Sequence, residues 1–173
     1  MNIIEFFELS AGKWFSQRTL HNLKSGQLQA GKSNLIMESL PQTDATVVQL
    51  CQQHKIDPTT ISGGFRLTWD GTMEGNPNQQ KGSAIVVPII NPEHPQEGQL
   101  LQSQDTTPNQ SLSGRYSLGA DEVLTLITES PNFYAEERLW YLMPNLRLRT
   151  SIVKNSTGLT QASFCSEIRM GIK

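Results

Sequence analysis

From Pro144 to Ser151 the chain alternates strictly between two chemistries. Successive side chains of a strand point to opposite faces. Leu146, Leu148, Thr150 and Ile152 therefore share one face, and Asn145, Arg147, Arg149 and Ser151 share the other. Two environments fit. On a half-solvated sheet the arginines simply meet water. Turned into a cavity, two guanidiniums are costly unless an anion meets them. The guanidinium fork suits a carboxylate, and a second arginine suits a second carboxylate.

Nearby segments add acids and rings. Over 136–143, Glu137, Leu139, Tyr141 and Met143 share one face, with Glu136, Arg138, Trp140 and Leu142 opposite. Close to the C-terminus, Cys165, Glu167 and Arg169 alternate with Phe164, Ser166, Ile168 and Met170. An interior carrying arginines and glutamates suits a ligand with carboxylates at one end and N–H donors at the other; a linear tetrapyrrole is such a molecule. The competing arrangement is cross-strand ion pairing on the outer surface, which contributes little. Trp69-Asp70-Gly71 is equally two-sided. Asp-Gly is a turn signal that leaves Trp69 in the core, or an indole plane and a carboxylate meet at a cavity.

Other chemistries lack support. His21 stands alone on a strand, His54 falls on a helix and His94 in a loop, so no metal-ligand spacing exists and no metal site is expected. There is no Gly-rich phosphate loop, no Gly-x-Ser-x-Gly and no Cys-x-x-Cys. Cys165 reads as a packing residue ahead of a nucleophile. With only Cys51 and Cys165, no disulfide framework is expected and a reducing, cytoplasmic setting is the default. A net charge of −2 argues against a nucleic-acid backbone as partner. No apolar run approaches the roughly 18 residues of a membrane span. The first residues lack the basic start of a secretory signal.

The elements that must position these residues follow from periodicity. Ile3, Ile4, Phe6, Phe7 and Leu9 give one or two helical turns, broken by Ser10-Ala11-Gly12. Trp14, Ser16, Arg18 and Leu20 then share a strand face. Gly26 and Gly31 bracket a turn before a strand over 33–40. Asp44 is the N-cap of a helix that carries Val47, Leu50, Cys51 and His54 and stops before Asp57-Pro58. Strands are expected over 64–73, 81–90, 98–103, 112–118, 122–130, 136–143, 145–153 and 160–170, with mobile loops at 91–97 and 104–110. About ten strands at roughly 8–12-residue spacing argue for a mainly β fold, a single antiparallel up-and-down barrel with one or two helices beside it. The 173 residues fit one domain, 1–173, large enough to enclose a small ligand.

At this point the chain resembles the S-type phycobiliprotein lyases, the CpcS/CpeS family of bilin chaperones. The resemblance covers about residues 3–170. It is carried by Glu5-Phe6-Phe7, the run from Ala11 through Gly12-Lys13-Trp14 to Arg18-Thr19, Thr68-Trp69-Asp70-Gly71-Thr72-Met73, Gly114-Arg115-Tyr116, Glu137-Arg138-Leu139-Trp140, Pro144 to Arg149, and Ala162 to Arg169. Gly12-Lys13-Trp14 also looks like the Gly-x-Trp of the lipocalin first strand. Where the family often carries an aromatic shortly after Trp-Asp-Gly-Thr-Met, this chain reads Glu74-Gly75-Asn76, which bears on bilin preference.

The resemblance implies a lipocalin-like or fatty-acid-binding-protein-like barrel. It implies a lyase that binds a linear tetrapyrrole, phycocyanobilin first, and promotes its thioether attachment to a cysteine of an apo-phycobiliprotein: phycocyanin, allophycocyanin or phycoerythrin. The bilin is substrate, with no resident cofactor, and the resemblance leaves open a homodimer or a related lyase chain as company. It further implies that Arg18, Arg147 and Arg149 hold propionates, with Ser151 beside them. Asp70, Glu137 and Glu167 become candidates for the pyrrole N–H groups or the acid role, and Trp69, Trp140 and Tyr141 candidate walls. Trp140 and Tyr141 cannot both face inward on a regular strand, and the face shared with Glu137 favours Tyr141. The alternative is a lipocalin-like carrier of a tetrapyrrole or fatty acid that transfers nothing.

Overall fold

In the computed structural model, which describes residues 1–104 and 112–171, the order is α1 (Ile3–Ser10), β1 (Gly12–Asn22), β2 (Gln27–Leu40), α2 (Ala45–Gln53), a 3-10 turn (Pro58–Thr60), β3 (Gly64–Met73), β4 (Asn76–Ile90), β5 (Glu97–Gln104), β6 (Leu112–Leu118), β7 (Leu124–Ser130), β8 (Phe133–Met143), β9 (Leu146–Asn155) and β10 (Gly158–Arg169). Each strand pairs antiparallel with its neighbours in sequence, and β1 also pairs with β10, which closes the barrel. The hydrogen-bond ladder therefore runs the whole way round. The expectation of an up-and-down barrel of about ten strands with two helices holds.

Helix α1 begins with a capping box: Glu5 N donates to Asn2 Oδ1 at 3.0 Å, and Asn2 N donates to Glu5 Oε2 at 2.8 Å. Such a cap stabilises by about 1 kcal/mol. The apolar stripe of α1 then enters one end of the barrel. Ile3, Phe6 and Phe7 are buried against Met37, Phe65, Leu100, Tyr116, Leu118, Leu124 and Leu139. Burying each of the three contributes about 1.5–3 kcal/mol, so α1 is a stopper held by its own core. The opposite end carries the hairpin connections at 23–26, 74–75, 131–132 and 156–157.

Helix α2 lies outside the sheet. Asp44 caps it by accepting from Thr46 N, and Val47, Leu50 and Cys51 pack on Ile85, Val87 and Leu101. Gly63 permits the return to β3: its φ is +131° and a Cβ there would lie 2.5 Å from the Leu40 carbonyl oxygen.

Three local expectations change. Gly31 sits inside β2, because that strand starts at Gln27. Asp70-Gly71 makes no turn; β3 runs on to Met73 and the hairpin turns at Glu74-Gly75, where Gly75 has φ +76°. Of the two expected loops, 91–97 already enters β5 at Glu97, while 104–110 lies outside the described residues beyond its first position. Among the described residues no helix is long and apolar enough to cross a membrane.

Candidate functional site

The pleat decides which side chains look inward, and register carries that decision around the ring. Arg18 pairs with Cys165, which pairs with Arg149, which pairs with Leu139. One step along, Ser16, Glu167, Arg147 and Tyr141 form the next row; on the other side Ser163, Ser151 and Glu137 form another. Leu139 and Tyr141 pack with the α1 core, so this face is the interior. Trp69 joins it through Leu35, the partner of Trp14. Arg18, Trp69, Glu137, Tyr141, Arg147, Arg149, Ser151 and Glu167 thus share the inner face.

Asp70 is the correction. Adjacent residues of a regular strand cannot share a face, and with Trp69 inside, Asp70 points out. Its carboxylate meets Lys81 Nζ at 3.1 Å and accepts from the Gln79 amide on the exposed surface. Trp140 is outside for the same reason, since the irregularity in β8 comes only after Tyr141. His21 is exposed, and no group of three His, Cys, Asp or Glu side chains gathers among the described residues. A groove lined by Asn91, Glu97, Arg115, Ser117, Thr125 and Ile127 belongs to the outer surface, and no candidate residue lines it.

Inside, the charges are graded in depth. Glu167 is fully buried and takes Arg147 on one oxygen: both Nε and Nη2 of Arg147 lie 2.6 Å from Oε2. Its other oxygen lies 3.3 Å from Arg149 Nη2, an ion pair without hydrogen-bonding geometry. Arg149 also faces Glu137 Oε1 at 3.8 Å and donates to Cys165 Sγ at 3.7 Å. Side-chain exposure rises from 0% at Glu167 and 5% at Arg147 to 14% at Arg149 and 39% at Glu137. The deep pair is sealed; the next two residues open toward the lumen. Burial works against the charge of Arg149, but the carboxylates of Glu137 and Glu167 outweigh it and hold its pKa above the usual arginine value. Ser151 Oγ is 2.6 Å from Ser163 Oγ.

Arg18 differs from the others. It is half-buried on the inner face and has no ion-pair or hydrogen-bond partner among the described residues. With Arg169, the interior holds the guanidiniums of Arg18, Arg147, Arg149 and Arg169 against the carboxylates of Glu137 and Glu167. That surplus suits a dianion.

Tyr141 faces inward, as parity requires, yet its hydroxyl lies 2.7 Å from Ser10 Oγ and its ring packs on Phe6 and Trp14. It belongs to the stoppered end. Trp69 packs against Gly82, where a Cβ would come within 2.4 Å of the indole. Three residues outside the expected set join the site: Ser10, Trp14 and Arg169. Trp14 Nε1 donates to the Ser10 carbonyl at 2.8 Å, and the guanidiniums of Arg147 and Arg169 lie 4.8 and 4.2 Å from its ring. Two signals pointed there, the Gly-x-Trp pattern and the parity that puts Arg169 on the face of Glu167. The arrangement can bind a dicarboxylate, offer an acceptor for N–H donors at Glu137, and present a flat indole. Its cysteine, Cys165, is wholly buried.

Comparison with known proteins gives the family. The family model described as CpeS-like protein matches residues 2–170. A chromophore lyase CpcS/CpeS of Trichodesmium erythraeum is 52% identical over 170 residues, covering 98% of each chain. One from Thermosynechococcus vestitus is 49% identical, covering 99% of this chain and 94% of the relative. The solved S-type phycobiliprotein lyase CPES from Guillardia theta superposes with a TM-score of 0.88 at 30% identity, covering 100% of this chain and 95% of that one. The chain belongs to the CpeS-like family of chromophore lyases.

Proposed function

We propose that this lyase holds phycocyanobilin in its barrel and hands it to a cysteine of an apo-phycobiliprotein subunit of phycocyanin, allophycocyanin or phycoerythrin. The observation that carries the reading is the graded charge of the inner face: a sealed Arg147–Glu167 pair beneath a partly open Arg149 and Glu137, with Arg18 beside them, unpartnered among the described residues. Arg18 and Arg149 take the two propionates. Glu137 accepts from pyrrole N–H groups and favours the protonated, more electrophilic chromophore. Ser151 is a polar neighbour, and Trp69 forms the wall against the conjugated plane. Arg147 and Glu167 fix Arg149.

The lyase then has little covalent work to do. The acceptor's thiolate adds to the ethylidene carbon on ring A. A C–S bond forms, the electron pair moves into the conjugated system, and a proton is taken up; nothing leaves. Free bilins add to thiols unaided but give mixed products, so holding one conformer with ring A presented is the contribution. The test is a transfer assay with phycocyanobilin and each apo-subunit, phycoerythrobilin run in parallel. Acid-stable coloured acceptor should form faster than in protein-free controls. Equal rates would leave a carrier, and faster transfer of phycoerythrobilin would change the cargo.

A further inference from the structure

We propose that Trp14 and Arg169 are positioning residues that set the carboxylate-reading geometry of Arg149. The inference rests on the reading that interior arginines recognise propionates. Arg147 cannot do this directly, because it is sealed and two of its nitrogens are held by one Glu167 oxygen. What Arg147 does is fix Glu167, whose other oxygen faces Arg149. Arg147 in turn rests on the ring of Trp14, and Arg169 rests on the same ring. Cations over an indole are attracted by its negative face.

The far end of this chain of contacts is anchored. Arg169 Nη1 donates to the Ala11 carbonyl at 2.7 Å, and Nη2 donates to the Leu9 carbonyl. These oxygens lie at the C-terminal end of α1, where a cation is favoured. Trp14 is tied there as well, through the Ser10 carbonyl. Contacts therefore run without a gap from the stopper helix through Arg169, Trp14, Arg147 and Glu167 to Arg149. A buried ion pair has no water to absorb a shift, so a displaced Arg147 must move Glu167, and Arg149 loses its counter-charge on that side.

The experiment compares binding of phycocyanobilin with binding of its dimethyl ester, read by absorbance of the bound bilin and by tryptophan emission. The parent should prefer the free acid by roughly tenfold or more. Arg169→Gln and Trp14→Phe should cut that preference by about threefold or more while ester affinity stays within about twofold. Arg169→Lys should restore part of it, because lysine keeps the charge but not the fork. A merely structural role would weaken acid and ester alike and leave the ratio unchanged, which would sink the proposal. If Trp14→Phe fails to fold, the two Arg169 variants decide. A parent that binds acid and ester equally would instead overturn the propionate reading itself.

Discussion

The barrel has two unlike walls made from the same kind of strand. β8, β9, β10 and β1 turn Glu137, Arg147, Arg149, Glu167, Arg169 and Arg18 inward. The inner face from β2 to β7 carries Leu35, Met37, Phe65, Trp69, Leu100, Tyr116 and Leu126, interleaved with glycines such as Gly31 and Gly82 and with uncharged polar residues such as Ser33, Gln102 and Thr128, and has no charge among the described residues. The contrast teaches a division of labour. Charges crowded onto adjacent strands pair only in part, and the positive surplus is what would orient an anionic ligand. The opposite wall offers uncharged, mainly apolar area, whose attraction is non-directional. A planar dicarboxylate would lie with its edge on one wall and its face on the other.

The largest expected effect breaks the charged wall from below. Glu167→Gln keeps shape but leaves Arg147 and Arg149 without their shared counter-charge. Urea unfolding should show a loss of about 3–5 kcal/mol. Trp69→Phe in the other wall should lose only about 1 kcal/mol. Equal losses would mean the deep pair is hydrated and the grading in depth is not energetic.

Next comes ligand binding. Arg149→Ala and Arg18→Ala should each weaken bilin binding by roughly ten- to a hundredfold, the value of one charge-assisted hydrogen bond. Titration followed by absorbance checks both. Arg18→Ala should leave the melting temperature almost unchanged, because the side chain has no partner among the described residues to lose. An unchanged affinity in both variants would return these arginines to a structural part.

A smaller effect sharpens the apolar wall. Bilin binding should quench tryptophan emission, and Trp69→Phe should remove a disproportionate share of the quenching. Trp140, on the outer face, supplies the control: Trp140→Phe should remove much less. The smallest effect is an expected constancy. Cys51 lies on the buried face of α2, outside the barrel, and Cys165 faces the interior; both are free. A reducing agent should leave the melting transition in place, and a drop of several degrees would show a bridge.

Parity explains why much of this was legible in the residues. A period of 2 in 145–153 and 160–170 put Arg147, Arg149, Cys165 and Glu167 on the correct faces and chose Tyr141 over Trp140. Parity also rules out Asp70 beside Trp69; the Asp-Gly pair read as a turn and hid that. Depth was illegible. Arg147 and Arg149 look equivalent along the strand, and only the long-range contacts of Arg169 with Leu9 and Ala11 place one in the floor and the other above it. Tyr141 likewise meets the stopper helix through Ser10, a partner 131 positions away.

The stopper helix also has a consequence for traffic. Among the described residues every strand pairs with both of its neighbours, and α1 fills one end. On the proposed reading, cargo then arrives and leaves past the hairpins, at the end that α1 leaves open. A linear molecule loaded this way cannot turn round inside, so its orientation at hand-over is already chosen at loading. The acceptor and the next cargo molecule queue at the same aperture. Excess free bilin should thus slow hand-over by occupying the approach, an inhibition that a vessel open at both ends would not show.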